Sequence, residues 1–331
     1  MKNIPFYAYW VTEETDVTFR NQIIQRNTDE LPQNGVLIKV AYSSLNYKDA
    51  LSASGNKGVT RRYPHTPGID AAGTVVESNS TEFNPGDEVI VTGYDLGMNT
   101  MGGFGEYINV PAEWIVSLPT GLSLKESMIL GTAGFTAALS VHHLIRCGQK
   151  PEDGTLLVTG ATGGVGSLSV SIASKLGFNV TASTGKPHKK EYLERLGAKT
   201  TVDREVVDDK SGKMLLRPQW AAAIDTVGGN TLATVLKSLK THGNVACCGN
   251  VASPLLNTSV FPFILNGINL LGVNSATTPM HLRKDLWAKL AGDWKPDFSS
   301  IEIDSVGLSE LQNKMEKILQ GGITGRVVVE H

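Results

Sequence analysis

The sequence predicts an α/β protein in which a doubly wound parallel sheet is joined to a β-rich, barrel-like domain. Three observations carry this. From Thr155 onward, short apolar runs alternate with helical stretches, a pattern that means a parallel sheet with right-handed crossovers. The first of those runs stops at a glycine cluster, Gly160-Ala161-Thr162-Gly163-Gly164-Val165-Gly166, before an Ala/Ser/Leu-rich stretch. Residues 1–125, by contrast, show short strands punctuated by Gly and Pro, as in compact barrels.

In the N-terminal part, Gly35–Tyr42 alternates around Val36, Ile38 and Val40, and Gly73–Glu77 and Glu88–Thr92 are short β-branched runs. Turns separate them at Leu31-Pro32-Gln33-Asn34-Gly35, Asn84-Pro85-Gly86-Asp87 and Gly102-Gly103-Phe104-Gly105. Near Ser123 the pattern changes. Leu124–Leu130 and Phe135–Ile145 read as helices, with Gly131-Thr132-Ala133-Gly134 between them. Six strands follow, at 155–159, 179–183, 200–203, 221–225, 243–248 and about 268–273, with helices in the gaps. Helices at 280–291 and 308–320 and a last strand, Gly325–Val329, complete the pattern.

A chain of 331 residues suggests two domains, and 41% apolar residues supply large cores. A net charge of −2 gives no global attraction to nucleic acid or an anionic membrane. Three cysteines, two of them adjacent at Cys247 and Cys248, form neither a disulfide framework nor a metal spacing, which fits a reducing cytoplasm. Met1–Trp10 lacks the apolar core of a signal peptide. No segment has 18 uninterrupted apolar residues, so no membrane span is expected.

The glycine cluster is the main functional signal. A strand ends there and a helix starts at about Gly164, and the unpaired N–H groups of a helix start favour a phosphate. Gly163 lets the backbone approach a pyrophosphate, and Gly166 lets helix and strand pack closely. Ala161 stands where the dinucleotide fingerprint has its first glycine, so an ordinary strand–turn–helix corner is the bland alternative. The next strand end reads Ser183-Thr184-Gly185-Lys186. Binders of the unphosphorylated cofactor usually carry Asp or Glu there to hold the ribose. Hydroxyls and a lysine suit a 2′-phosphate instead, so the sequence points to NADP(H). Thr162, Gly163, Gly164, Val165, Ser183, Thr184, Gly185 and Lys186 are its candidate contacts, and Lys189 reads as the solvated start of the next helix.

Many motifs in order resemble the medium-chain dehydrogenase/reductase superfamily. They include Ser43-Ser44-Leu45-Asn46-Tyr47-Lys48-Asp49, Pro67-Gly68-Ile69-Asp70-Ala71-Ala72-Gly73, Pro85-Gly86-Asp87-Glu88-Val89, Gly102-Gly103-Phe104-Gly105-Glu106-Tyr107, Gly131-Thr132-Ala133-Gly134-Phe135-Thr136-Ala137, Asp225-Thr226-Val227-Gly228-Gly229 and Gly325-Arg326-Val327-Val328. The resemblance implies a GroES-like catalytic domain at 1–127 and 270–331, with a Rossmann NADP-binding domain inserted at 128–269. Leu45-Asn46-Tyr47-Lys48-Asp49 and Gly131–Ala137 look most like the NADPH-dependent quinone oxidoreductases of the acrylyl-CoA reductase type. Such relatives are commonly homodimers through a late strand, here Ile268–Asn274.

Zinc members of this superfamily place Cys, His and Glu where this chain has Leu45–Tyr47 and Ile69-Asp70. An apolar Ile cannot replace a zinc donor, so no metal is expected. His65 reads as a surface or hydrogen-bonded residue, and the adjacent His142 and His143 point apart on a helix.

Without metal, the bound NADPH supplies the hydride and the protein orients it against an electron-poor double bond. Quinones, enones and enoyl-CoA thioesters qualify as substrates. Hydride adds at the β-carbon, and donors must meet the charge that gathers on the carbonyl oxygen. The resemblance puts Asn46 and Tyr47 at the nicotinamide: Asn46 to orient ring or carbonyl, Tyr47 to donate a hydrogen bond or proton. A packing aromatic is the alternative for Tyr47. Thr136, Asn250 and Asn274 are further cofactor contacts by resemblance, and Phe263 lies near the same sheet edge. Lys48 and Asp49 read as an ion pair or helix-start cap, and Asp70 as a loop anchor. Arg61-Arg62 and Arg283-Lys284 are open to a coenzyme A phosphate or to solvent. A non-catalytic NADPH sensor, or an alcohol dehydrogenase, is the alternative function.

Overall fold

The computed structural model describes residues 3–15, 17–33 and 35–331; Asn34 of the first predicted turn lies outside them. Two compact units emerge. One comprises Met1–Thr132, Ala276–Ala291 and Glu302–His331, and the other Ala133–Ser275 and Gly292–Ile301.

The first unit begins with an antiparallel hairpin of β1 (Pro5–Thr15) and β2 (Thr18–Asn27). The sequence reading has no element there, because β2 is apolar only at Phe19, Ile23 and Ile24 and shows no alternation. Then come β3 (Val36–Ser44), α1 (Tyr47–Ala53), β4 (Asp70–Ser78), β5 (Glu88–Thr92), β6 (Tyr107–Val110) and β7 (Ile115–Ser117). Alternate residues of these strands, among them Val36, Ile38, Val40, Val75, Val89 and Ile108, point into one buried core, as period-2 patterning requires.

Helix α2 (Leu124–Arg146) is broken only at Gly131, where φ is 49° and ψ −154°. Thr132–Gly134, expected as a loop, are therefore helical. By length and composition α2 would cross a membrane, but 78% of its most apolar window is buried inside the protein, as in a core helix.

The second unit holds β8 (Thr155–Val158), α3 (Gly164–Lys175), β9 (Asn179–Thr184), α4 (Lys190–Arg195), β10 (Thr200–Asp203), β11 (Trp220–Asp225), α5 (Gly229–Lys237), β12 (Leu239–Cys247), α6 (Phe261–Asn266) and β13 (Asn269–Gly272). All six strands are parallel, in the order β10-β9-β8-β11-β12-β13. Order reverses between β8 and β11, the switch point at which doubly wound sheets bind ligands. β8 reads as an unbroken apolar run because it lies inside the sheet, covered on both faces. β12 starts four residues earlier than predicted, at Leu239; His242, at φ 61°, sits where its register to β11 slips.

The chain then supplies α7 (Met280–Ala291), β14 (Ile303–Val306), α8 (Leu311–Leu319) and β15 (Arg326–Glu330). All four belong to the first unit, whose sheet runs β14-β15-β3-β4-β5-β7 with β6 also on β3. The unit boundaries differ from the expected 127/128 and 269/270. Thr132 is tied to Asp70 of the first unit by its N–H and its hydroxyl. Residues 270–275 stay with the second unit because β13 pairs with β12. Gly292–Ile301, expected in the catalytic domain, also pack there, where Lys175 Nζ donates to the Lys295 carbonyl at 2.6 Å.

Candidate functional site

In the second unit the turn after β8 is built for close approach. The left-handed backbone falls on Gly160, at φ 58°. Ala161 needs no such freedom; it is fully buried and its N–H donates to the Ser183 carbonyl at 3.0 Å. That explains an alanine in the place of the fingerprint's first glycine. A Cβ on Gly166 would stand 2.8 Å from Ala161 Cα and closer still to the Gly160 carbonyl oxygen, so helix and strand touch there. Gly163 caps α3 from an extended conformation; no side chain caps this helix start, and its first turn has no acidic residue. The exposed N–H dipoles thus lack a protein anion, and the site fits a phosphate. Thr162 is buried beside it, while Gly163, Gly164 and Val165 are half-buried.

Neighbouring strand ends crowd the same edge. Buried Asp225 accepts from Thr159 Oγ1 at 2.7 Å and from the Gly228 N–H at 2.8 Å. Burial raises its carboxyl above the usual carboxylate range. Thr226 Oγ1 donates to the Thr159 carbonyl at 2.9 Å, and the Cys248 N–H to the Asp225 carbonyl at 3.0 Å. Burial, then the nearby Asp225 charge, push the Cys248 thiol up to about 12, so it is no thiolate nucleophile.

At the end of β9, Ser183 and Thr184 are buried, and Thr184 Oγ1 lies 3.4 Å from Thr162 Oγ1. Thr184 Oγ1 also accepts from the Lys186 N–H at 3.0 Å. The half-buried Lys186 lies two residues past the strand, not on it. The sequence reading missed Arg204. Its guanidinium lies directly over Gly185, filling the space a Cβ would take. The available signal was a cation immediately after β10, the strand beside β9. The neighbouring Asp203 carboxylate is engaged by the Glu205 N–H at 3.2 Å. Asn250 and Asn274 are exposed after β12 and β13, Thr136 is buried on α2, and Phe263 is half-buried on α6.

The first unit holds the other candidates. Asn46 and Tyr47 open α1. Tyr47 is half-buried, and its hydroxyl has no hydrogen-bond partner among the described residues. Asp49 is fully buried and accepts from the Asn46 N–H at 2.7 Å and the Ile69 N–H at 2.9 Å. It is a cap, not the ion-pair partner of Lys48, whose Nζ lies 4.0 Å from Met98 Sδ. Burial, then the Asp70 charge, push the Asp49 carboxyl up to about 7. Asp70 is also fully buried and gathers Ser44 Oγ (2.6 Å), Asn46 Nδ2 (2.8 Å), the Thr132 N–H (2.8 Å) and Thr132 Oγ1 (2.6 Å).

Other expectations change. His65 is buried rather than superficial, and its backbone pairs with Val11. Arg283 is buried and donates to Thr92 and to the Ala276 carbonyl, so it meets neither solvent nor a coenzyme A phosphate; Arg61 and Arg62 are exposed. Among the described residues, no three of His, Cys, Asp and Glu gather into a metal cage.

A doubly wound sheet with a phosphate-ready turn, and a second, β-rich unit completed by the chain's last strand, are the two parts of a nicotinamide-dependent dehydrogenase/reductase. The family model for zinc-binding dehydrogenases matches residues 164–291, and that for the alcohol dehydrogenase GroES-like domain matches residues 32–120. The chain belongs to the medium-chain dehydrogenase/reductase superfamily, in its zinc-free quinone oxidoreductase and acrylyl-CoA reductase type. It is 48% identical to YhfP of Bacillus subtilis, provisionally named a quinone oxidoreductase, over 92% of each chain. The crystal structure of that protein with NAD bound superposes with a TM-score of 0.95 at 46% identity, covering 99% of this chain and 100% of that one. The acrylyl-CoA reductase AcuI of Ruegeria pomeroyi is 42% identical over 92% of this chain and 93% of its own. Escherichia coli YhdH with bound NADPH has a TM-score of 0.94 at 40% identity, covering 98% of this chain and 99% of that one.

Proposed function

We propose that this chain is a zinc-independent, NADPH-dependent reductase of quinones or of activated C=C bonds such as that of acrylyl-CoA. The observation that carries the cofactor choice is the β9 end: Ser183 and Thr184 hydroxyls, Lys186 and the Arg204 guanidinium meet around Gly185, with no carboxylate on that strand end. That set suits a 2′-phosphate dianion and offers the unphosphorylated ribose no carboxylate. The relatives named for quinone and acrylyl-CoA reduction, and the one that binds NADPH, support the reading.

The reduced nicotinamide, when bound, supplies the hydride. The chain's own residues bind and orient it. The Gly164 and Val165 N–H groups hold the pyrophosphate, which Gly163 lets approach, its own N–H being spent on the Gly160 carbonyl at 3.0 Å, and Asn250, Asn274 and Thr136 line the nicotinamide side. Asn46 and Tyr47 contact the nicotinamide and the acceptor. The Tyr47 hydroxyl, which has no partner among the described residues, donates to the acceptor's carbonyl oxygen as charge develops there. The edge of β13, with exposed Val260, Phe261, Ile264 and Leu265 nearby in sequence, is the surface of a homodimer, since monomers rarely leave such runs uncovered. The free Cys147, Cys247 and Cys248 suit the cytoplasm.

A steady-state screen of NADPH oxidation across quinones, enones and enoyl-CoA thioesters, with NADH as control, tests this. Turnover of NADPH with one acceptor class is expected. Tight NADPH binding without turnover on any of them would leave a sensor in place of an enzyme.

A further inference from the structure

We propose that the second unit carries an anion site apart from the cofactor turn, shaped for the phosphate of a small hydroxylated phosphomonoester. It is a cavity of about 510 Å³, within the range of small-molecule sites. Its walls are the later parts of α3 and α4 and the segment Gly292–Ile301, all inside the second unit.

The cofactor turn opens α3 at Gly164, whereas the cavity lies at that helix's other end, at Ser171 and Lys175. Strands and crossover helices run in opposite directions, so this is the sheet edge away from the strand ends that meet the cofactor. Helix α3 is 12 residues long, about 18 Å, and keeps the two places apart.

Three cations and one carboxylate line the cavity: Lys175, Arg195, Lys295 and Asp297. The carboxylate is held on its own loop by the Ser299 N–H at 3.0 Å and by the Ser299 and Ser300 hydroxyls at 2.7 and 3.0 Å. Arg195 makes no hydrogen bond or ion pair among the described residues; its guanidinium lies 5.8 Å from the Tyr192 ring centroid. Lys175 Nζ spends one proton on the Lys295 carbonyl, which leaves two. Cations in a last helical turn ordinarily offset the helix dipole, and that alone would account for Lys175 and Arg195. It does not account for Ser171, which is only 7% exposed and lines the cavity. A helical serine can return its hydroxyl to the carbonyl four residues back, as Ser167 does to Gly163 at 2.8 Å. Ser171 Oγ makes no hydrogen bond among the described residues, and a buried hydroxyl without a partner is costly. A ligand in the cavity supplies that bond.

The lining also limits what the ligand is. A guanidinium fork and two ammonium groups suit a phosphate dianion. The Asp297 carboxylate beside them repels a bare anion and asks for a donor, which a hydroxyl on the ligand provides.

Calorimetric titration of glycerol 3-phosphate into the full chain tests this, with and without saturating NADPH, for wild type, Arg195→Ala and Ser171→Ala. Arg195 is exposed and Ser171→Ala removes one atom, so both variants should melt like wild type. One site per chain is expected, with a Kd of about 1 mM or tighter, indifferent to NADPH. Arg195→Ala should weaken it about tenfold and Ser171→Ala, which alters no charge, about fivefold. No saturable binding up to about 10 mM, or wild-type affinity in either variant, overturns the proposal. So does loss of binding when NADPH is present, which would put the anion in the cofactor site. Inorganic phosphate that binds as tightly as the ester overturns the ligand class. The inference does not rest on the NADPH reading, since the free chain is titrated as well.

Discussion

Replacing Gly163 by alanine separates cofactor approach from packing. The protein has room for the methyl group: a Cβ there would find its nearest neighbour, the Gly160 carbonyl oxygen, at 3.4 Å. Its φ of −78° and ψ of 174° suit any residue. Gly163→Ala is expected to keep or raise stability, by at most about 1 kcal/mol, because alanine narrows the unfolded ensemble. A pyrophosphate on this helix start would need the same space. A forced methyl overlap costs about 1–3 kcal/mol, so NADPH affinity should fall roughly 5- to 150-fold. Gly166→Ala should do the reverse. Its Cβ would press on backbone atoms of Gly160 and Ala161, which cannot rotate away. Stability should drop about 1–3 kcal/mol, or roughly 2–10 °C in Tm. Thermal melts and NADPH fluorescence titrations on the same preparations decide. A Gly163→Ala protein with wild-type stability and wild-type affinity refutes the pyrophosphate placement. A Gly166→Ala protein that melts like wild type refutes the packing argument.

Arg204→Ala should lower kcat/KM for NADPH about tenfold and leave NADH unchanged, since an exposed guanidinium–phosphate bond is screened to the low end of its range; an equal loss with both cofactors would remove Arg204 from the 2′-phosphate. Tyr47→Phe should reduce kcat roughly 10- to 100-fold at unchanged NADPH affinity, the loss of one donor to the developing oxyanion, and an unaltered kcat would return Tyr47 to packing. Asp49 gives a pH signature. Its folded carboxyl, pushed up to about 7, binds its proton more tightly than the unfolded chain does. The stability it contributes is therefore full below about pH 4, declines as pH rises to about 7, and is level above that, with a total of about 4 kcal/mol. Urea unfolding of wild type against Asp49→Asn from about pH 4 to pH 8 measures it; a difference that does not vary with pH would contradict the buried-carboxyl account.

Local pattern along the chain encodes one part of this architecture. The parallel sheet was legible because each buried strand is a short apolar run and each crossover a helix of ordinary length, and the phosphate turn because its glycines adjoin the first strand. The β1–β2 hairpin was not, since β2 has no two-residue alternation. The tertiary structure alone decided the rest, because the deciding neighbours are far apart in the chain. Arg204 reaches Gly185 only when β10 lies beside β9. Asp70 gathers Ser44, Asn46 and Thr132 only when β3, β4 and the start of α2 meet.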